Sequence, residues 1–249
     1  MSIQIKTSRK KVHSARDPLM IELGRRLEAE DPRYPHSDGK PLAESEPHLQ
    51  CIRWLLDAIE DLFKGRDNVA YHGDMFWYRQ EGHPGKTRVP DVMVIFGVPM
   101  DPIRLSYKSW EYGGIVPAVI IETASAEQKN ELFGDLYKDY ESQGVREYFV
   151  FDWSQRYLDQ QLYGYRLRGG RYQVIRPSDD GSLLSKQLKV KMRPEDKLLR
   201  LFDVRTNEPI KTRSEQIAMQ RRALAAQTAE TKRFREMLRR AGIDPDTAK

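Results

Sequence analysis

Two acidic residues stand at the ends of apolar segments, and their side chains are the ones best suited to chemistry. Asp91 follows Pro90 and opens the run 92–98, and Glu122 closes the run 118–121. If these runs are neighbouring strands, both carboxylates meet at one place on a sheet. Paired hard oxygen ligands suit Mg²⁺, which can acidify a water molecule and stabilise charge on a phosphodiester during hydrolysis. The alternative is that each acid only marks where a strand leaves the core.

The elements predicted around these acids are those of a mixed α/β fold. Apolar residues at helical spacing predict helices over residues 46–63 and 126–143. Continuous apolar runs predict buried strands at 92–98, 118–122 and 148–152, and strand-forming residues predict another at 69–78. A hairpin is expected around Gly169 and Gly170, with further short strands near 187–192 and 198–202. This order predicts one mixed central sheet flanked by helices, with added β-hairpins.

The two ends of the chain differ from this central part. Residues 1–40 are polar and interrupted by prolines, which predicts an arm with a short helix at 19–27. Residues 212–240 lack Gly and Pro, which predicts a long exposed helix. Its apolar positions are sparse, which favours a weak coiled coil or a loosely docked tail over a strong coiled coil. The predicted organisation is therefore an arm at 1–40, a domain at 41–210 and a charged C-terminal helix at 211–249.

Composition and charge exclude several classes of protein. The chain has 249 residues, of which 39% are hydrophobic, and no stretch approaches the roughly 18 apolar residues of a membrane helix. Its N-terminus lacks the pattern of a secretory signal. The single cysteine, Cys51, excludes an internal disulfide framework and favours a reducing cytoplasm. The net charge of +5 lies entirely in residues 211–249, because basic and acidic residues balance over 1–210.

Five ordered segments resemble the Uma family of restriction endonucleases, a branch of the PD-(D/E)XK nuclease superfamily. They are GDMFWY at 73–78, VPDVMVIFGVP at 89–99, PAVIIETAS at 117–125, LYKDY at 136–140 and GVREYFVFD at 144–152. The resemblance implies a restriction-endonuclease-like fold and Mg²⁺-dependent hydrolysis of DNA phosphodiester bonds, with Mn²⁺ able to substitute. It implies Asp91 and Glu122 as metal ligands and the carbonyl of Thr123 as a third. It also implies DNA as partner and a homodimer, because such folds often cut both strands as pairs.

The lysine that usually assists the attacking water departs from the pattern of the superfamily. Its usual position, two residues after the glutamate, is Ala124 here. The Uma family commonly places a lysine one turn before the tyrosine matching Tyr140, and that position here is Leu136. Lys138 is the first candidate for the role and Lys129 the second, although both could be solvated surface residues. A shift of two residues turns a side chain by about 200° around a helix, so Lys138 reaches the site only if the helix is locally offset.

Other polar residues have two interpretations each. Asp74 is either a third acid near the metal or an inward polar group bonded to the backbone. His48, at the start of the first helix, is expected to be exposed to solvent rather than a ligand. Basic residues of the hairpin are expected to flank the DNA phosphates, and these are Arg166, Arg168, Arg171 and Arg176.

Two further functions stay open beside the endonuclease. One is a catalytically impaired nuclease-fold module that binds nucleic acid or a protein partner, which Ala124 and Leu136 favour. The other is a soluble scaffold assembled through the C-terminal helix. On the endonuclease interpretation, deleting residues 212–249 is expected to weaken nonspecific DNA affinity and leave metal binding intact.

Overall fold

The computed structural model describes residues 17–39, 45–125, 128–242 and 244. A single 3₁₀ turn, Ser109–Tyr112, accompanies the helices and strands of these ranges. In chain order, those elements are α1 (Pro18–Glu28), α2 (Glu46–Leu62), β1 (Val69–His72), β2 (Trp77–Tyr78), β3 (Thr87–Arg88), β4 (Val92–Phe96), β5 (Tyr107–Lys108), β6 (Val119–Thr123), α3 (Lys129–Leu132), α4 (Asp135–Gln143), β7 (Glu147–Phe151), β8 (Leu162–Arg168), β9 (Arg171–Val174), β10 (Leu183–Ser185), β11 (Val190–Glu195), β12 (Leu198–Asp203) and α5 (Arg213–Arg240).

A six-stranded mixed sheet with the order β1-β4-β6-β7-β8-β9 forms the centre of the fold. The pair β6–β7 is parallel, and the other neighbouring pairs of this sheet are antiparallel. Strands β4, β6 and β7 are buried along nearly their whole length, as their continuous apolar runs predict. Two three-stranded sheets, β10-β11-β12 and β3-β2-β5, are separate from it. The predicted mixed α/β fold with a central sheet, added hairpins and a C-terminal helix is confirmed.

Each face of the central sheet carries its own apolar core, because residues alternate between the two faces of a strand. One core joins the sheet to α2 and to β10-β11-β12, and its buried residues include Ile52, Leu55, Ile59, Val94 and Ile121. The second core joins the opposite face to α3, α4 and β2, and its buried residues include Trp77, Met93, Ile120, Leu132 and Tyr140. The ends of β4 and β6 therefore lie between α2 on one side and α4 on the other.

The single strand predicted over 69–78 is wrong, because the chain leaves the sheet at Gly73 and Asp74. At Gly73 the backbone comes so close to α2 that a Cβ atom would lie 2.9 Å from side-chain carbons of Ile52 and Leu56. Asp74 has a φ of 49°, in the left-handed region that short polar residues tolerate best after glycine. This turn separates β1 from β2 and leads the chain past the start of β4.

The helix predicted over 126–143 is also wrong in its middle, and residues 126–127 lie outside the described part of the chain. Gly134, with a ψ of −98°, separates α3 from α4. A Cβ atom at Gly134 would lie 2.6 Å from the carbonyl oxygen of Asn130, so the break needs glycine. Asp139 of α4 forms ion pairs with Arg79, which follows β2, and with Arg88 of β3, so α4 is attached to the sheet β3-β2-β5.

The predicted N-terminal helix is confirmed as α1, and the segment after it packs on the central part. Arg26 of α1 lies 2.5 Å from Asp101. Tyr34 is buried, with its ring centre 5.2 Å from that of Tyr78 and 5.1 Å from that of Trp110. The predicted domain boundaries, after residue 40 and after residue 210, stay predictions.

The long C-terminal helix is confirmed as α5, and its start is anchored to the folded core. Thr212 and Glu215 form a capping box, in which each side chain accepts a hydrogen bond from the other residue's backbone N–H. Glu215 also lies 2.8 Å from Arg200 of β12. None of the residues of α5 is buried. Across the described residues, no helix is both long and apolar enough to cross a membrane.

Candidate active site

The register of β4 on β6 brings the two predicted carboxylates together. Val92 pairs with Ile121 in this antiparallel ladder, which sets Asp91 opposite Glu122. The backbone N–H of Asp91 donates to Glu122 Oε2 at 3.1 Å. Both residues are buried, at 7% and 5% exposure. The side chains of Asp91 and Glu122 therefore converge, as the positions of the two strand ends predict.

The carboxylate of Asp91 is held from β6 and from α2. Its Oδ2 accepts hydrogen bonds from the backbone N–H of Thr123 at 2.7 Å and from the Thr123 hydroxyl at 2.5 Å. His48 Nε2 lies 3.2 Å from the same oxygen and also contacts the Thr123 hydroxyl. These contacts fix the orientation of Asp91 from two elements of the fold.

The expectation that His48 is exposed to solvent is wrong, because only 5% of its surface is accessible. The first turn of α2 points at the start of β4, where Ser45 caps the helix by accepting the backbone N–H of His48. A sequence signal for this position exists. His48 precedes the buried residues Ile52, Leu55 and Ile59 by helical steps of four and three, so it belongs to the inward stripe of α2.

Glu122 is held from the opposite side by α4. The hydroxyl of Tyr140 donates to Glu122 Oε1 at 2.6 Å. Burial, and secondly the charge of Asp91, raise the pKa of Glu122 well above its usual value. Burial and the neighbouring Glu122 also raise the pKa of the Tyr140 hydroxyl well above its usual value. Tyr140 therefore stays protonated at neutral pH and acts as a hydrogen-bond donor to Glu122.

Asp74 lies beside this pair through the turn that separates β1 from β2. Its backbone N–H donates to the carbonyl oxygens of Pro90 and Asp91, at 3.1 and 3.3 Å. Burial and the charge of Asp91 raise the pKa of the Asp74 carboxyl to about 7, while His48 acts in the opposite direction. The turn therefore places the Asp74 carboxyl close enough to sense the charge of Asp91, and its role as a third acid or as an inward polar group stays a prediction.

The donor set fits a hard cation. Among the described residues, neither Asp91 nor Glu122 forms an ion pair with lysine or arginine, so their negative charge is not balanced by a basic side chain other than His48. Within the same ranges, no three His, Cys, Asp or Glu side chains form a ready-made metal cluster. An ion would therefore depend on two carboxylates with main-chain and water oxygens, which is a set that Mg²⁺ accepts. A cation here would also favour the ionised form of Glu122.

Comparison with known protein families shows which family the chain belongs to. The model of the Uma2 family, described as "putative restriction endonuclease", matches residues 21–193, well over half of the sequence. The chain belongs to the Uma2 family. A solved structure from Anabaena variabilis ATCC 29413, described as "a putative nuclease belonging to DUF820", is similar to this chain. The two share 15% sequence identity and a TM-score of 0.43, and the match covers 67% of this chain and 89% of that chain. Comparison with curated proteins gives no match.

In this Uma2 chain the two candidate lysines do not lie at the carboxylates. Lys138 is exposed on α4 and makes no contact with Asp91 or Glu122 in the described residues. Since Tyr140 of the same helix faces Glu122, the side chain two residues earlier is turned by about 200° away from it. Lys129 is exposed at the start of α3. The position one turn before Tyr140 is the half-buried Leu136.

The four hairpin arginines have different surroundings. Arg166 is half-buried against the buried Glu147, with its Nε 2.8 Å from Glu147 Oε1, and it also donates to the carbonyl of Leu184 at 2.6 Å. These bonds give Arg166 a structural position, so the prediction that it contacts phosphate has no support from its surroundings. Arg171 is mostly exposed and lies 2.9 Å from Glu141. Arg168 and Arg176 are exposed, and they form no ion pair within the described ranges.

Proposed function

We propose that this Uma2 protein is a Mg²⁺-dependent endonuclease that hydrolyses phosphodiester bonds in DNA, with Mn²⁺ able to substitute. The observation that carries the proposal is the meeting of Asp91 and Glu122 at buried strand ends, without a lysine or arginine paired to either among the described residues. Membership of the family supports nuclease activity; the metal and the DNA substrate belong to the proposal. Its proposed location is the cytoplasm, because one cysteine provides no disulfide framework.

Each residue of the site has a role in this mechanism. Asp91 and Glu122 would hold the ion, with the carbonyl of Thr123 as a third oxygen. Bound Mg²⁺ supplies the positive charge that acidifies a water molecule and stabilises charge on the phosphate. Tyr140 and His48 orient the two carboxylates before substrate arrives. The proposed mechanism assigns no step to Lys138 or Lys129, because both lysines are exposed and neither lies at the carboxylates.

The proposal is tested by plasmid nicking with Mg²⁺ or Mn²⁺, using Asp91→Asn and Glu122→Gln. These variants keep the size of each side chain and remove its charge, so both nicking and calorimetric Mn²⁺ binding should be lost. Asp179→Asn, which removes an exposed acid of a turn outside the site, is the matched control and should behave like wild type. Equal nicking by all the proteins would indicate a contaminating nuclease and would reject the site.

A second function, a module that binds nucleic acid or a protein partner without cutting it, is favoured by one specific observation. Leu136 occupies the helix position where a lysine would face Glu122, and Ala124 occupies the other usual position. Salt-sensitive DNA binding without nicking in either metal would support this function. Measurable nicking that depends on Asp91 would exclude it.

A further inference from the structure

Basic side chains are concentrated at the end of the central sheet that lies away from the carboxylate pair. Residues 144–148, 164–173 and 184–191 contain seven basic residues and one acidic residue, Glu147. These segments are the start of β7, the β8–β9 hairpin and the chain from β10 into β11. Five of the basic residues are exposed and together form what we call the basic surface, and these are Arg146, Arg168, Arg171, Lys186 and Lys189.

Glu147 holds the three segments of the basic surface together. Its carboxylate accepts hydrogen bonds from Arg166 Nε at 2.8 Å and from the backbone N–H of Lys186 at 2.9 Å. The backbone N–H of Leu167 donates to the carbonyl of Arg146 at 2.9 Å, which fixes the hairpin beside the start of β7. Because Glu147 is fully buried and bonded to Arg166, it does not balance the charge of the exposed side chains.

Most of the charge of the basic surface is not neutralised by the described residues. Arg171 lies 2.9 Å from Glu141, and Arg146 donates to the neutral side-chain amide of Gln187 at 3.2 Å. The other three side chains form neither an ion pair nor a hydrogen bond with the part of the chain that the structure describes, and these are Arg168, Lys186 and Lys189. Clustered charge of one sign favours an extended anionic ligand.

The register of the sheet separates the basic surface from the carboxylates. Phe151 pairs with Thr123 on one side and with Leu162 on the other, so Leu162 marks the level of the carboxylate pair along the strands. Arg168 is six residues further along β8, which at about 3.3 Å per residue is about 20 Å away. The two sites therefore lie at opposite ends of the strands, and a straight duplex on one end does not cover the other.

We propose that the basic surface binds the phosphate backbone of a second segment of double-stranded DNA, apart from the segment at the carboxylates. The inference rests on the proposed function for its ligand, DNA, and does not depend on cutting. Guanidinium groups bind phosphate through two hydrogen bonds, and such contacts do not read the base sequence.

The other side chains of the three segments favour duplex DNA over other anionic partners. Their aromatic residues, Tyr148, Tyr165 and Tyr172, are buried, so the bases of a single strand have no exposed ring to stack on. None of the large apolar side chains of these segments is exposed, whereas the centre of a protein interface is usually apolar. The basic surface therefore offers contacts to phosphate and little else.

Fluorescence anisotropy in the presence of a chelator measures DNA binding without cutting. Arg168→Gln/Lys186→Gln removes two unpaired charges of the basic surface, and Lys64→Gln/Arg66→Gln removes two exposed charges after α2 as the matched control. The slope of log affinity against log salt for a duplex should fall by up to about 2 in the first pair, because each phosphate contact contributes about 0.9, and should not change in the control. Unfolding midpoints show that both pairs fold. An unchanged slope in the first pair, an equal fall in the control, or tighter binding of poly-glutamate than of the duplex would overturn the inference.

Capture of a second duplex tests whether the basic surface and the carboxylates hold different segments of DNA. Wild type bound to an immobilised duplex should retain a labelled second duplex. Arg168→Gln/Lys186→Gln should retain much less of it, and Lys64→Gln/Arg66→Gln should retain as much as wild type. Capture that depends on the basic surface, without nicking in Mg²⁺ or Mn²⁺, would reject the endonuclease and support the inference. Nicking by wild type together with undiminished capture by Arg168→Gln/Lys186→Gln would reject the inference alone.

Discussion

His48 holds the Asp91 carboxylate from the α2 side of the site. When Nε2 carries the proton, it donates to Asp91 Oδ2 across 3.2 Å, and the imidazole is almost fully buried. Residues that orient a metal ligand in this way typically contribute about 10- to 100-fold to metal affinity. His48→Ala should therefore weaken Mn²⁺ binding by about that factor, as measured by calorimetry.

His83→Ala is the matched control for this prediction. His83 lies in an exposed turn, where its ring Nδ1 is 3.1 Å from the carbonyl of Glu81, so replacing its side chain should leave Mn²⁺ affinity unchanged. The unfolding midpoint of each variant shows whether it has folded. Unaltered Mn²⁺ affinity in folded His48→Ala would mean that Thr123 alone fixes Asp91.

Asp74 should make the metal-free protein less stable as the pH rises. Its pKa is raised to about 7 in the folded chain and is near 4 when unfolded, so the folded state binds the proton more tightly. The stabilisation is complete below about pH 4 and is lost as the pH rises through about 7. Asn mimics the neutral acid and tolerates the φ of 49°. Asp74→Asn should match wild type near pH 4 and exceed its free energy of unfolding by about 2 kcal/mol above pH 7, because partial exposure reduces the full effect.

Urea unfolding in the presence of a chelator, at several pH values, measures this difference. Glu122 has its pKa raised in the same direction, first by burial and then by Asp91, with Asp74 the last of the causes, so most of its contribution is common to wild type and Asp74→Asn. The difference between the two proteins therefore reports mainly on Asp74. A difference that stays constant between pH 4 and pH 8 would show that Asp74 keeps an ordinary pKa.

At the scale of elements, α4 decides whether a lysine can assist the attacking water. Tyr140 and Leu136 are one turn apart on the same side of α4, which faces Glu122, whereas Lys138 is exposed. Leu136→Lys should bring an amine to that side and increase the rate of nicking at least tenfold, toward the 10²- to 10⁴-fold range of positioned proton-transfer groups. Nicking in Mn²⁺ measures the effect.

Lys138→Ala completes the comparison, since it should leave the rate of nicking unchanged. The two variants alter the same helix at neighbouring positions but on different sides. If Lys138→Ala abolished nicking and Leu136→Lys gave no increase, Lys138 would be the lysine that assists the water, and α4 would have to turn when DNA binds.

The same elements show which parts of the fold and site follow from sequence. Both apolar runs are bounded by an acid, Asp91 at the start of one and Glu122 at the end of the other, so their pairing in the sheet is predictable. Which side of α4 faces Glu122 is not predictable in the same way. The break at Gly134 restarts the helix and separates Lys129 from that side. The burial of His48 is predictable only when the inward apolar stripe of α2 is extended by one turn towards the start of the helix. Arg166 escaped prediction because its partner, Glu147, is a distant residue brought opposite it by the β7–β8 register.

At the scale of the whole molecule, the excess positive charge and the proposed site are separate parts of the chain. Thr212 and Glu215 anchor α5 to β12, so removal of all residues from 212 onward would also remove contacts of the folded core. A sharper change is replacement of Arg222, Arg233 and Arg240 by Gln, since these exposed side chains lie away from the anchor at the start of α5. The triple variant removes three charges and leaves Asp91, Glu122 and the contacts of Thr212 and Glu215 untouched.

The triple variant should bind DNA more weakly and with a smaller dependence on salt. Each lost phosphate contact lowers the slope of log affinity against log salt by about 0.9, so the slope should fall by up to about 3. Fluorescence anisotropy with a duplex at several salt concentrations measures the slope, and calorimetry measures Mn²⁺ affinity, which should not change. An unchanged slope would mean that DNA contacts other basic residues, such as Arg168 and Arg176. Lost Mn²⁺ affinity would show that α5 and the carboxylate pair are coupled, against the separation that their positions in the fold indicate.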